Sequence, residues 1–82
     1  MDFDFVKKYI DIWDPIDLLS HAPSDEYDEE SAKISNLLKK GNDLGKVIFE
    51  IFNESFGSQS FSKTLAECEE LAQQMIKDFS QL

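Results

Sequence analysis

The chain has 82 residues, 41% of them hydrophobic, and a formal net charge of −9. That length makes one domain, residues 1–82, with a small core, and the apolar share is too high for a chain disordered throughout. An anionic surface repels phosphate, and all eight basic residues are lysine, so nucleic acid is excluded as a partner and bidentate guanidinium contacts are missing.

Helical periodicity dominates, and no stretch alternates like a half-buried strand. Over residues 3–13, Phe5, Val6, Tyr9, Ile10, Ile12 and Trp13 fall on one side and Asp4, Lys7, Lys8 and Asp11 on the other, which predicts the first helix. It breaks at Asp14, because a residue before proline avoids the right-handed helical region. Asp14 is also a good N-cap and Pro15 a good first helical residue. A short extra helical turn, Ile16–Ser20, is therefore expected, followed by a loop at His21, Ala22, Pro23 and Ser24. Asp28 is expected to cap the second helix, with Glu29 and Glu30 in a first turn whose dipole favours them. Ile34, Leu37 and Leu38 give that helix a narrow stripe; Lys39 and Lys40 suit its end, and Gly41 supplies a left-handed stop. Asp43 caps the third helix, which is apolar over more than half its circumference through Val47, Ile48, Phe49, Ile51, Phe52 and Phe56. A helix this apolar is either central or covered by a second copy. Gly57 ends it, and Ser60 or Ser62 caps the fourth helix. Leu65, Cys68, Leu71, Ala72, Met75, Ile76 and Phe79 form the stripe of that last helix. The fold class is all-α: a small four-helix up-and-down bundle, as short connections favour, with the short turn after Trp13.

Charge is distributed unevenly. Residues 1–30 hold ten carboxylates against Lys7 and Lys8, a net of −8; residues 31–82 hold seven against six lysines, a net of −1. The candidate partner-binding residues are those of the acidic segment: Asp14, Asp17, Asp25, Glu26, Tyr27, Glu29 and Glu30. Such a surface steers basic partners toward it, and tyrosine is a frequent interface anchor. The same run also reads as a capped helix start, and Tyr27 and Trp13 also read as core rings.

The segment resembles a known family. Trp13-Asp14-Pro15-Ile16, Leu18-Leu19, Pro23, Asp25-Glu26-Tyr27-Asp28, Glu30 and Ile34 match the YugE-like small helical proteins of Bacillus and relatives, a domain of unknown function. Weaker agreement runs through Phe56-Gly57, Phe61, Cys68, Ala72 and Ile76, so the resemblance spans nearly the whole chain. At Asp17 the family usually carries a small residue. The resemblance implies an all-helical fold and supplies no activity. Pro23-Ser24-Asp25, followed by acids and a helix, is similar to the loop of the colicin-nuclease immunity proteins, which are also small, acidic and helical. Their paired tyrosines before the proline are missing here.

Residue type and spacing limit the chemistry the chain can carry. A calcium loop needs six to eight oxygen ligands, and Tyr27 falls where a second short ligand belongs, with no glycine following. His21 has no sequence partner for acid–base work, and reads as a helix end or turn residue. Cys68 sits inside an apolar stripe among glutamates, the setting of a core cysteine and not of a reactive thiolate. GNDLGK lacks phosphate-loop spacing. No apolar run approaches the roughly 18–20 residues of a membrane span, and MDFDFVKK is acidic where a signal peptide is basic; a lone cysteine fits a reducing compartment. The expectation is a cytoplasmic, non-catalytic protein-binding module with no cofactor and no metal, docking on a basic protein partner. Its sharpest version is an immunity-type inhibitor of a toxin nuclease. The alternatives are a homo-oligomer joined through helix three, with the monomer favoured, and a metal-dependent hydrolase using His21 and nearby carboxylates.

Overall fold

A computed structural model describes residues 1–16, 26–38 and 43–81. They form four helices: α1 (Phe3–Trp13), α2 (Asp28–Leu38), α3 (Leu44–Ser60) and α4 (Leu65–Ser80), with no strand among the described residues. Each helix packs against the next in the chain, α1 on α2, α2 on α3 and α3 on α4. This is the expected all-α bundle of consecutive neighbours.

α1 starts at Asp2, whose side chain accepts the Phe5 N–H at 2.9 Å. Val6 and Ile10 are fully buried, and Phe5, Tyr9 and Trp13 pack on the core from its margin. Ile12 was expected on the same side but is 76% exposed. At 3.6 residues per turn it lies about 200° round the helix from Ile10, so one cannot be buried without the other facing out. The helix breaks at Asp14, as Pro15 requires, yet Asp14 is not the N-cap of a new turn. It is the C-cap of α1, in the left-handed region at φ 43 and ψ 64, and its N–H donates to the Ile10 carbonyl at 2.8 Å. Proline disfavours the right-handed helical conformation at the residue before it, and the left-handed one closes the last turn. The expected turn Ile16–Ser20 lies outside the described residues from Asp17 onward, as does the loop from His21 to Ser24.

α2 begins one residue earlier than a capping Asp28 allows. The Tyr27 carbonyl accepts the Ser31 N–H at 2.9 Å, so Tyr27 occupies the cap position by its backbone and Asp28 is the first helical residue. The Asp28 carboxylate turns to Lys7 instead. The narrow stripe of Ile34, Leu37 and Leu38 is widened by Ser31 and Ser35, both buried, and the Ser35 hydroxyl donates to the Met1 carbonyl. Lys39, Lys40 and Gly41, the expected end of this helix, lie outside the described residues.

α3 is the central helix. Asp43 caps it as expected, its Oδ1 accepting the Gly45 N–H at 3.1 Å. Val47, Ile48, Ile51 and Phe52 are buried between the flanking helices, and Phe49 and Phe56 are half-buried against the same core. A Cβ at position 45 would stand 2.7 Å from Glu69 Cγ and 3.1 Å from Glu69 Cα. Glycine there lets the start of α3 approach the α4 backbone. Gly57 interrupts the helix where it was expected to end it. At φ 77 and ψ 162 it bends the path before one further turn to Ser60, and its carbonyl accepts the Phe61 N–H at 2.9 Å.

The cap of α4 is Thr64, not Ser60 or Ser62. Its hydroxyl accepts the Glu67 N–H at 3.1 Å and the Glu67 carboxylate accepts the Thr64 N–H at 3.3 Å, a reciprocal capping box. Cys68, Ala72 and Met75 are buried, whereas Ile76 is 53% and Phe79 42% exposed. Asp43 stands level with Ala72, Gln73 and Ile76, so the last turn of α4 runs on past the start of α3. There it meets α1: Phe79 sets its ring edge-on to Phe5 at 5.2 Å, and the Tyr9 hydroxyl donates to Asp78.

Candidate functional site

The end of α1 and the start of α2 carry the described part of the acidic segment. The last turns of α1 meet the first turn of α2, which brings Asp11 and Asp14 to Asp28 and Tyr27. Two contacts among the described residues join these turns. Lys7 Nζ lies 2.6 Å from Asp28 and 2.9 Å from Asp11. The bond to Asp28, then that to Asp11, raises the Lys7 ammonium above its ordinary value of 10.5. Asp11 Oδ1 is buried and has no hydrogen-bond partner among the described residues.

The second contact is Tyr27. It is fully enclosed, at 0% exposure, and its hydroxyl donates to Asp14 Oδ1 at 2.5 Å and accepts the Ile16 N–H at 3.4 Å. Its ring lies edge-on to Phe52 and Phe56 at 5.8 and 6.1 Å. Phe52 also meets Trp13 edge-on at 6.1 Å and stacks on Phe61 at 5.3 Å. Rings from α1, the α2 start, α3 and the α3–α4 connection thus converge on one phenylalanine. Buried tyrosine needs a partner for its hydroxyl, and the carboxylate of Asp14, the C-cap of α1, accepts from it.

The sequence-selected residues therefore separate. Glu26 and Glu29 are exposed, and Glu29 makes a surface pair with Lys33 at 3.3 Å, a contact of small energetic weight. Asp14 is half-buried and engaged with Tyr27. Tyr27, a candidate partner anchor that also read as a core ring, is a core side chain. Glu30, expected on the acidic face, is 6% exposed, and its Oε1 has no hydrogen-bond partner among the described residues. Asp17, Asp25 and His21 lie outside the described residues. Sequence reasoning passed over Lys7 and Asp11 as site residues. Their spacing of four on a helix is a readable ion-pair signal, but nothing local to it points to Asp28.

The Cys68 thiol is pushed up to about 11, by burial first and then by Glu67 and Glu69, as suits a core cysteine. Among the described residues no three His, Cys, Asp or Glu side chains are gathered for a metal ion. A shallow recess of about 170 Å³ between α3 and α4 is lined by Asp43, Glu69, Ala72, Gln73 and Ile76. Small-molecule sites usually enclose about 300–1,000 Å³. No described helix is long and apolar enough to cross a membrane.

Four consecutively packed helices, an aromatic core centred on Phe52 and a carboxylate-rich end cross-linked by one lysine define a small all-α bundle. The chain belongs to the family described as domain of unknown function DUF1871, whose model matches residues 5–80 and so takes in nearly all of the four helices. No curated protein and no solved structure matches it.

Proposed function

We propose that this chain is a small, non-catalytic, cytoplasmic protein-binding module, within the YugE-like part of its family, that docks its acidic end on a basic protein. The carrying observation is the charge: ten carboxylates against two lysines in residues 1–30, with Glu26 and Glu29 exposed at the start of α2. Lys7 is already engaged by Asp11 and Asp28, so it does little to offset the exposed glutamates. A uniform field of this kind speeds encounter with a cationic partner more than it tightens the final contact. The sharpest form of the reading is an immunity-type inhibitor, since a nuclease must expose a cationic, phosphate-binding cleft and an anionic protein surface can occupy it. A monomer is favoured over a homodimer joined through α3, because Val47, Ile48, Ile51 and Phe52 are already enclosed by the chain's own helices.

The test uses the intact chain as bait in native cytosol, followed by stopped-flow kinetics with any protein recovered. A basic partner should associate more slowly as salt rises, with dissociation changing less. The combined change Asp25→Asn, Glu26→Gln and Glu29→Gln should leave the fold intact and flatten that salt dependence. Asp28 is left in place because it holds Lys7. A partner whose association ignores both salt and these substitutions refutes the acidic-end reading.

A further inference from the structure

We draw no further inference here: the strongest candidate, the shallow α3–α4 recess lined by Asp43, Glu69, Ala72, Gln73 and Ile76, sets a small apolar face beside two carboxylates, and nothing in the structure shows what covers it.

Discussion

Removing one oxygen from Tyr27 tests whether the acidic end is built on the core or beside it. In Tyr27→Phe the ring keeps its place against Phe52 and Phe56, and only the hydroxyl bonded to Asp14 at 2.5 Å is lost. A hydrogen bond to a charged group contributes roughly 1.5–3 kcal/mol. Asp14 is half-buried, so water recovers part of its solvation and the lower end, about 1.5 kcal/mol, applies. Small domains unfold in urea with a slope of about 1 kcal/mol per molar at the low end of the usual range. The midpoint followed by circular dichroism should therefore fall by about 1.5 M with the slope unchanged. Tyr27→Ala should be far worse, because truncating a fully buried aromatic costs about 3–5 kcal/mol. That is a large part of the roughly 5–15 kcal/mol that holds a domain together, and the variant should be largely unfolded. Tyr27→Phe should also leave partner association unchanged, since an enclosed ring touches nothing outside. If Tyr27→Phe keeps the parent midpoint and Tyr27→Ala folds normally, the ring is not in the core, and its place as a surface anchor returns.

Gly57→Ala should cost about 1–3 kcal/mol in urea unfolding, because φ 77 with ψ 162 is a backbone state that only glycine holds without strain. A Cβ there would meet nothing within 4 Å, so a neutral result would mean that the bend at Gly57 is not fixed in solution. Thr64→Ala should cost about 0.5–2 kcal/mol as an N-cap loss, while Ser60→Ala and Ser62→Ala should be near neutral; the reverse order would move the start of α4. Stability should hold a plateau near neutral pH. Asp78 is lowered from 3.8 by its hydrogen bonds from Tyr9 and then Gln74, so its contribution is present above that value and fades as pH falls below it. Tyr9 and Lys7 are raised from 10.0 and 10.5 by their bonds to Asp78 and to Asp28 respectively, so theirs is present below those values and fades as pH climbs past them. Tyr9→Phe should shrink the acid limb and part of the alkaline one; urea midpoints across pH that match the parent on both limbs would contradict the Tyr9–Asp78 contact.

The helices were legible because their information is local. The bounds of α1, the Asp43 cap and the burial of Val6, Ile10, Ile34, Cys68 and Met75 all follow from residues within a few positions of one another, and a 3.6-residue period needs no knowledge of the partner face. The α4 cap was misplaced for a related reason. Several small polar residues precede that helix, and Glu67, three residues after Thr64, was the available signal that singles one out.

What only the tertiary structure decided is the use made of side chains whose partners are far away in sequence. Tyr27 meets Asp14 across 13 residues, Lys7 meets Asp28 across 21 and Tyr9 meets Asp78 across 69. The sequence alone determined that residues 1–30 are strongly anionic, because net charge is a sum and does not depend on arrangement. Which carboxylates of that segment face water depends on how α1 crosses α2. That crossing buries Tyr27 and sets Asp28 against Lys7, the packing of α2 encloses Glu30, and Glu26 and Glu29 are left outside. A helical wheel cannot supply this, since a residue at the margin of a stripe is buried or exposed according to the neighbour that happens to lie beside it.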